Sequence, residues 1–413
     1  MAIFQSADFL IPQEQMLPDW AVIACDQFTS EPEYWEAVRA QAEGKPSAYH
    51  IIFPEAEFGN ETQNAKRIVE IQQTMYDYAN ADFFRRYPDA MIYVERTLTD
   101  GSIRRGIVGT VDLEEYEYAH ETDAKIRATE RTVYERIPAR VKIREGAVME
   151  TSHVLMLADD AEDLLIGSVA AKKEQLPLLY DFDLMQGGGH ITGRLIAGAD
   201  LLSLMGQFEK YYHAMDEKYR RLRSDPLYFA VGDGNHSLAS AKAIWEKLHE
   251  LVPENHPARY AMVELVNIHE PSLLFEPIHR VVKVKETKDI DRLLDAVKTV
   301  CAEDGYPLQY TAGKKSGTLY LDPNVGTLPI GILQPILDHF TDAHGGTMDY
   351  IHGEEVTRNL GRNKNCISFV LPPFQKDDFF RSIATDGVLP RKTFSMGHAE
   401  EKRYYLEARR ISG

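Results

Sequence analysis

Apolar residues recur every three or four positions in several stretches of the chain, which is the spacing of one helix face. Between residues 60 and 84 they include Ile68, Ile71 and Met75, and Asn60 stands where a helix N-cap is expected. The same spacing predicts one long amphipathic helix over residues 194–223. Further helices are predicted over residues 237–250, 289–302, 329–340 and 375–386.

Short apolar runs between these helices predict strands. Residues 91–96 and 102–111 are predicted to pair as a hairpin, because Thr99-Asp100-Gly101 between them is typical of a tight turn. Further strands are predicted over residues 227–231, 260–268, 273–284, 318–321 and 366–371. Helical and extended segments alternate along the whole chain, which indicates an α/β protein with mixed, partly antiparallel sheets.

This alternation predicts a multi-lobed chain in three parts. We place an N-terminal α/β lobe at residues 1–120, a core at residues 121–285 and a C-terminal α/β lobe at residues 286–413. The total of 413 residues is enough for two or three domains, and 44% of them are hydrophobic, so a sizeable core is expected.

Charge and cysteine content narrow the classes of function. The formal charge of −18 repels a polyphosphate backbone, so we expect no nucleic-acid partner, although small phosphorylated ligands remain compatible. Three widely separated cysteines predict neither a disulfide framework nor a paired-cysteine metal site. The start of the chain lacks the features of a signal peptide, and the apolar runs are too short to span a bilayer. We therefore expect a cytoplasmic protein without a membrane partner.

The strongest local signal is a glycine-rich turn between a strand and a helix, Gly-Asp-Gly-Asn-His at residues 232–236. Two glycines let the backbone turn sharply and leave room for a ligand, and the helix N-terminus suits a phosphate. Asn235, His236 and Ser237 add side-chain donors, and Asp233 is suited to a metal ion or a substrate hydroxyl. The alternative is an ordinary turn in which Asp233 or Asn235 caps the helix.

A second candidate lies in the charged stretch at residues 127–144. Glu130 is suited to be a general base, and Arg131, next to Thr132, or Arg140 is suited to clamp an anion. A solvated helix with interleaved charges would give the same pattern.

Three further positions carry chemistry outside these two segments. His279 and Arg280 lie in an otherwise apolar strand, where a buried charge needs a partner, unless the strand end reaches solvent. Residues 390–393 read Pro-Arg-Lys-Thr and form a cluster of donors that is also typical of a surface loop. Asp26 follows an apolar run and either caps the next helix or faces a ligand.

Taken in order along the chain, these segments resemble the bacterial family DUF1015. The resemblance rests on residues 24–27 (ACDQ), 130–132 (ERT), 231–236 (VGDGNH), 262–267 (MVELVN), 277–280 (PIHR) and 389–394 (LPRKTF). Several motifs in a fixed order are more specific than any one of them. The family has no settled activity.

A more distant resemblance concerns the glycine turn. Many DUF1015 members carry Asp-Gly-His-His-Arg at residues 233–237, which is similar to the nucleotide-phosphate turn of the ParB/sulfiredoxin-like fold. That fold includes sulfiredoxins, CTP-binding ParB proteins and free-serine kinases. The resemblance implies a ParB/sulfiredoxin-like nucleotide-binding core embedded in a larger chain, with Gly234, Asn235, His236 and Ser237 near phosphate. It also implies that Glu130 activates an acceptor hydroxyl.

This chain departs from that pattern at Asn235 and Ser237, which replace a histidine and an arginine. Loss of the arginine removes a bidentate phosphate donor worth about 1.5–3 kcal/mol, so another cation is expected in its place. We consider Arg280, Arg194 and Lys392 for this role. The turn also lacks the sulfiredoxin cysteine, so sulfinic-acid reduction is not expected.

Together these signals predict a small-molecule phosphotransferase that acts on a hydroxy amino acid or a similar polar acceptor. We expect Mg²⁺, held by Asp26 or Asp233, and a nucleotide or pyrophosphate as cofactors. The residues expected to be catalytic are Glu130, His236 and Asp233. The residues expected to bind phosphate or nucleotide are Gly232, Gly234, Asn235, Ser237, His279, Arg280, Lys392 and Thr393.

Two alternatives belong to other classes of function. One is a nucleotide-binding regulatory module that uses the same turn without turnover. The other is a metal-dependent hydrolase built on Asp26, Asp233, His236 and His279, although their spacing is not typical of a metal site. The sequence leaves the phosphate donor, the acceptor and the oligomeric state open.

Overall fold

A computed structural model describes residues 3–119, 122–130, 137–222, 224–373, 375–390 and 392–412, with the backbone alone at residues 137–139. Arg131, Thr132 and Arg391, which the sequence analysis considered, lie outside the described residues.

The elements alternate along the chain as the sequence pattern indicates. The strands are β1 (Phe4–Gln5), β2 (Ala7–Pro12), β3 (Val22–Ile23), β4 (Phe84–Thr97), β5 (Ile103–Asp112), β6 (Tyr116–Glu117), β7 (Ile126–Arg127), β8 (Met149–Thr151), β9 (Leu155–Ala158), β10 (Leu178–Asp183), β11 (His190–Ile196), β12 (Phe229–Asp233), β13 (Tyr260–Asn267), β14 (Phe275–Pro277), β15 (His279–Lys283), β16 (Cys301–Ala312), β17 (Lys315–Leu321), β18 (Thr347–Ile351), β19 (Cys366–Val370), β20 (Phe394–Met396), β21 (Tyr404–Tyr405) and β22 (Ala408–Arg410). The α-helices are α1 (Leu17–Trp20), α2 (Pro32–Ala42), α3 (Glu61–Asn80), α4 (Ile137–Glu145), α5 (Ile166–Ala170), α6 (Gly198–Leu222), α7 (Asn235–Leu248), α8 (Lys288–Lys298), α9 (Pro329–His344), α10 (Glu354–Gly361) and α11 (Lys376–Asp386).

One sheet of thirteen strands organises most of the chain. Its main path runs β6-β7-β12-β9-β13-β5-β4-β2-β22-β8, with β1 beside β5 and with β11 joining β10 to β4. Strands β4 and β5 form the predicted antiparallel hairpin. Strand β12 is parallel to β7 and antiparallel to β9, which in turn is parallel to β13. The predicted mixed α/β class is therefore confirmed.

Alternating side chains of the central strands build a hydrophobic core on each face of this sheet. In β4, Met91 and Tyr93 pack on the face covered by α6, whereas Ile92 and Val94 pack on the face covered by α2 and α3. This alternation follows from the two-residue period of a strand. Burial on both faces explains why residues 90–94 of β4 read as a continuous apolar run.

A second sheet of five strands, in the order β17-β16-β19-β15-β18, lies between residues 279 and 370 of the chain. After it the chain returns to the first part of the molecule, where β21 pairs with β3 and β22 pairs with β2 and β8. The limits placed at 120/121 and 285/286 thus do not coincide with the limits of the sheets. Hydrophobic periodicity reports which residues are buried, but it does not report which strands pair.

Two predicted helices show where local signals were sufficient and where they were not. Helix α3 begins after a capping box in which Asn60 and Gln63 exchange side-chain-to-backbone hydrogen bonds of 3.0 Å. The helix predicted over residues 194–223 begins only at Gly198, because residues 190–196 form β11 on the edge of β4. Arg194 therefore lies in a strand, paired with Glu174 at 3.1 Å. No helix in the described ranges combines the length and hydrophobicity needed to cross a bilayer.

The C-terminal arm, residues 394–412, is fixed by two buried arginines of the β4–β5 hairpin. Arg96 is only 2% exposed, and Arg104 donates from Nη1 to the Glu401 carbonyl oxygen at 2.6 Å. The main-chain carbonyl groups that accept from Arg96 are those of Gly188, Glu400, Glu401 and Lys402. Because one guanidinium satisfies four carbonyl groups, its removal would leave several buried acceptors unpaired.

We predict that Arg96→Leu lowers the free energy of unfolding by about 3–5 kcal/mol. The substitution removes the hydrogen-bond donors of buried carbonyl groups, so the desolvation of these groups is no longer compensated. Urea denaturation followed by circular dichroism measures this loss. Arg220→Leu is the matched control: Arg220 is exposed and paired only with Glu217 one turn away, so its loss is expected within about 0.5 kcal/mol. Equal stability of the two variants would contradict the role given to Arg96.

Candidate functional site

The candidate site lies at one edge of the large sheet, where three neighbouring strands bring their ends together. Because β7 and β12 are parallel, both end at this edge, and the antiparallel β9 begins there. Asp233 at the end of β12 is paired with Leu155 at the start of β9. Glu130 follows β7 and His153 precedes β9, so both also lie at this edge.

The glycine turn between β12 and α7 is tighter than the sequence analysis expected. Helix α7 begins at Asn235, and Gly232 and Asp233 belong to β12. Gly234 occupies the left-handed region with φ +82°, and a Cβ there would lie 2.9 Å from Val154 Cγ2 and 3.0 Å from Val154 Cα. Both the backbone conformation and the close approach therefore require glycine at position 234. A Cβ at position 232 would lie 2.9 Å from Leu157 Cγ, so close packing alone explains a glycine there.

No side chain of the described residues caps the first turn of α7. Asp233 Oδ1 accepts from the Gly234 amide at 2.9 Å instead. The Asn235 side chain accepts from the Thr129 amide at 3.2 Å, and its Nδ2 donates to Thr129 Oγ1 at 3.4 Å. Asn235 thus ties the helix to the segment before Glu130. The positive end of the helix dipole carries no capping side chain in the described chain.

Glu130 is the acid whose proton affinity is altered most clearly at this edge. It is half-buried, its Oε1 accepts from the Lys392 amide at 3.2 Å, and its backbone forms a bridge with Leu389. Burial, with the negative charge of Asp233, raises the pKa of Glu130 to about 7 against the opposing effect of Lys392 and Lys402. A carboxyl with this pKa can accept a proton and release it again at neutral pH.

Lys402 supplies a cation at the turn that the sequence analysis did not identify. Its Nζ lies 3.4 Å from Asp233 Oδ2 and donates to the Met396 carbonyl oxygen at 3.1 Å. The C-terminal arm carries Lys402 to this place, since Arg96 binds the carbonyl group of the same residue. No pattern near residue 402 points to the glycine turn, so only the fold reveals this contact.

Arg140 places a guanidinium group against the position where family members carry arginine. Its Nη1 donates to Ser237 Oγ at 3.1 Å, and its Nη2 donates to Glu55 Oε1 at 2.9 Å. Asp26 Oδ2 lies 3.9 Å from the same nitrogen. The sequence analysis considered Arg140 as an anion clamp beside Glu130, and considered Arg280, Arg194 and Lys392 to replace the missing arginine; Arg140 contacts the turn at Ser237. Glu55 and Asp26 balance its charge.

Asp26 and His153 are two titratable groups beside Arg140 whose charges interact. Burial acts to raise the pKa of Asp26, but His153 and Arg140 outweigh it and lower that pKa to about 2. His153 is 1% exposed, and burial lowers its pKa. Helix α2 begins at Pro32 with Glu31 at its N-cap, so Asp26 does not cap it. Asp26 remains ionised at neutral pH and faces the site.

Cys25 lies next to Asp26 but is not set up as a nucleophile. Its sulfur accepts from the Tyr405 hydroxyl at 3.1 Å, and burial raises the pKa of the thiol. The thiolate form is therefore disfavoured at neutral pH. Tyr405 and Cys25 serve to join the C-terminal arm to the end of β3.

Two residues expected to bind phosphate lie buried at the second sheet. Arg280 is 0% exposed, donates to Gln334 Oε1 at 2.7 Å and stacks over the Tyr350 ring at 4.5 Å. His279 is also buried, and its Nδ1 accepts from the Leu371 amide at 3.2 Å. Neither side chain reaches the glycine turn, because both are held inside the C-terminal sheet. The inference that a buried charge needs a partner was right, but the partner is the protein itself.

The loop at residues 390–393 contacts the site through its backbone. Arg280 Nη2 donates to the Lys392 carbonyl oxygen at 3.0 Å, and the Lys392 amide donates to Glu130. Thr393 is buried and donates to the Pro390 carbonyl oxygen at 2.5 Å, so its hydroxyl holds the loop together. The ammonium group of Lys392 lies over the Tyr350 ring at 5.4 Å. Arg280 and Thr393 thus shape the loop that orients Glu130.

The carboxylates suggested as Mg²⁺ ligands are already paired with cations. Asp26 faces Arg140 and Asp233 faces Lys402. Among the residues that the structure describes, no three or more histidine, cysteine or acidic side chains form a group suited to a metal ion. These residues do not form a ready metal site, so a Mg²⁺ ion would have to be held chiefly by phosphate oxygens and water. The ligand set of the hydrolase alternative is likewise not assembled in the described chain.

The chain was compared with protein families, curated proteins and solved structures. The family model described as "Protein of unknown function (DUF1015)" matches residues 7–410. No curated protein matches the chain in sequence. Among solved structures, the chain is similar to SbnI with a C-terminal truncation from Staphylococcus aureus, at 11% identity and a TM-score of 0.36, over 70% of this chain and 82% of that one. It is also similar to a free serine kinase in complex with AMP, at 11% identity and a TM-score of 0.36, over 71% of this chain and 92% of the kinase chain. A conserved hypothetical protein from Pyrococcus furiosus is similar at 11% identity and a TM-score of 0.34, over 72% of this chain and 95% of that chain.

We predict that Gly234→Ala lowers the free energy of unfolding by about 1–2 kcal/mol, because a Cβ is strained at positive φ and meets Val154. The matched control is Gly206→Ala in the interior of α6, where a Cβ would meet nothing within 4 Å. That change is expected to raise the free energy of unfolding by about 0.5–1 kcal/mol through helix propensity. Chemical denaturation of both variants checks this, and a stabilising Gly234→Ala would show that the turn has been misplaced.

Proposed function

The chain belongs to the DUF1015 family, whose name assigns no activity, and we propose that it is a phosphotransferase. It would transfer a phosphoryl group from a nucleotide or pyrophosphate to the hydroxyl group of a small acceptor. The observation that carries this proposal is geometric: the partly buried carboxyl group of Glu130, held by the Lys392 amide, lies beside a helix N-terminus that no side chain of the described residues caps. Burial raises the pKa of this carboxyl to about 7. A cytoplasmic location and a small phosphorylated ligand complete the proposal.

Phosphoryl transfer depends on positioning and charge neutralisation, and the site offers groups for both. Phosphate oxygens would bind at the first turn of α7, where Ser237 Oγ and the dipole end lie, and His236 would stabilise the moving group. Lys402 and Arg140 would offset the negative charge. A bound Mg²⁺ would share that charge through the phosphate oxygens.

Glu130 would act as the general base. The acceptor hydroxyl gives its proton to the Glu130 carboxylate, and its oxygen forms a bond to the terminal phosphorus. At the same time the bond from that phosphorus to the bridging oxygen of the donor breaks, and the shortened donor leaves with the electron pair. The Lys392 amide, which donates to Oε1, fixes the orientation of the carboxylate.

One observation favours a second candidate, a regulatory module that binds nucleotide without turnover. Arg140 takes the place of the family arginine, but Glu55 and Asp26 already neutralise it. In that case a nucleotide would raise the thermal stability of the protein, His236→Ala would abolish this shift, and no product would form with any acceptor.

The first prediction for the phosphotransferase concerns Glu130→Gln. With ATP, ADP or pyrophosphate, Mg²⁺ and a panel of hydroxy acids, we expect a phosphorylated product whose rate falls about 10²–10⁴-fold in this variant. Donor affinity, measured by calorimetry, is expected to change little, because Glu130 acts on the acceptor. Absence of donor binding at millimolar concentration together with absence of product would refute the proposal.

The second prediction concerns the pH dependence of kcat/KM. Because the ionised form of Glu130 is the base, the rate is expected to rise about tenfold per pH unit below pH 7 and to level off above it. Asp233→Asn removes a negative neighbour and is expected to move the inflection to lower pH. Lys402→Met removes a positive neighbour and is expected to move it to higher pH. Shifts in the same direction for both variants would exclude Glu130 as the titrating group.

A further inference from the structure

A cavity of about 130 Å³ opens beside the first turn of α7. Its walls are mostly apolar and come from α3, α4, α7, β8, β13 and the segment after β3. The apolar side chains include those of Ile51, Phe53, Met75, Ile143, Met149 and Met262. Since one water needs about 10–15 Å³ on this measure, the cavity has room for roughly ten non-hydrogen atoms. Ser237 and Arg140 line the same cavity, so it adjoins the candidate phosphate site.

Arg144 lines this cavity and has buried donors without a partner among the described residues. Its Nη1 is paired with the Glu150 carboxylate, whereas its buried Nε and Nη2 have no hydrogen-bond partner among the described residues. These two nitrogens share one edge of the guanidinium plane, and their N–H groups point in parallel. That edge is the one that binds a carboxylate through two hydrogen bonds.

Glu150 accepts no hydrogen bond from these two nitrogens. Its other oxygen already accepts from Arg409 Nε at 2.6 Å and from the Met262 amide at 3.1 Å. Buried donors without a partner carry a desolvation cost, which a ligand carboxylate would remove.

His153 provides a second polar group without a partner in the same cavity. Its ring is 99% buried against the Tyr405 ring, at 5.0 Å between centroids, and its Nε2 has no hydrogen-bond partner in the described part of the chain. His153 lines the cavity on the side of the sheet edge, two residues before β9. A hydroxyl or amino group of a ligand is suited to Nε2.

We infer that this cavity binds a small organic acid with a hydrocarbon body, its carboxylate on the Nε–Nη2 edge of Arg144 and a hydroxyl or amino group on His153 Nε2. The hydrocarbon part lies against the apolar walls, which inorganic phosphate would leave unfilled. Glu130 does not line this cavity. The inference therefore concerns a ligand site next to the proposed phosphate site, and it does not depend on the function proposed above.

The test uses α-hydroxyisocaproate as the probe and isothermal titration calorimetry on the full chain without nucleotide. We expect saturable binding that weakens at least about tenfold, or about 1.4 kcal/mol, in Arg144→Lys, which retains a charge for Glu150 but loses the two-donor edge. The neutral amide of the same acid is expected to bind the unaltered chain at least about tenfold more weakly than the acid does. Arg220→Lys, at an exposed arginine, is the matched control and is expected to bind as the unaltered chain does.

A second comparison isolates His153. Isocaproate lacks the hydroxyl group, so it is expected to bind the unaltered chain about fivefold more weakly than α-hydroxyisocaproate. In His153→Phe, which keeps a ring against Tyr405, the two acids are expected to bind alike. Near-ultraviolet circular dichroism confirms that each variant is folded before titration.

Several results would overturn the inference. They are the absence of saturable binding at millimolar probe, unchanged affinity in a folded Arg144→Lys, and displacement of the probe by inorganic phosphate with equal affinity. Failure of the proposed function gives a different pattern. If the acid binds as expected but no donor yields product, the cavity assignment stands and the phosphotransferase does not. If a donor binds and the acid does not, the cavity assignment alone is lost.

Discussion

The site depends on the return of the C-terminal arm to the first strands of the chain. Strand β21 pairs with β3, and β22 pairs with β2 and β8, while Arg96 binds the carbonyl groups of the turn that precedes β21. This closure brings Lys402 to Asp233 and Tyr405 to Cys25. The sheet edge alone would supply the turn and Glu130, but it would leave Asp233 without a cation. Backbone pairing of strands thus brings together site residues that are far apart in the chain.

The parts of the fold that could be predicted are those whose causes are local. The capping box at Asn60 and the turn at Thr99-Asp100-Gly101 act through neighbouring residues, so their signals survive in the sequence. The start of α6 could not be predicted in this way. Residues 194–196 share the amphipathic pattern of the helix that follows, but they belong to β11, which pairs with β4, and this pairing overrides the pattern.

The site divides in the same way. Glycine at position 234, an acid at 130 and an anion clamp in the stretch around Arg140 follow from residue chemistry, and the fold brings them to one edge. His279 and Arg280 were candidates because polar side chains in an apolar strand need partners. In the structure, Arg280 binds Gln334 and His279 binds the Leu371 amide. Lys402 was missed because its contact with Asp233 joins distant segments of the chain. His153 and Arg144 were missed because their signal is a buried polar atom without a partner among the described residues, which only a structure contains.

The electrostatics of the edge set a condition on any phosphate that binds there. Glu130 already has Asp233 as a negative neighbour, and burial keeps its pKa near neutrality. A phosphate at the first turn of α7 adds negative charge, which on its own would raise that pKa further and keep the carboxyl protonated. For Glu130 to remain a base at neutral pH, the added charge must be offset by Lys402, by Arg140 released from Glu55 and Asp26, or by a divalent cation bound with the donor. Under the proposed function, the edge that binds the donor also determines whether Glu130 can act as a base, so donor binding and charge compensation must occur together.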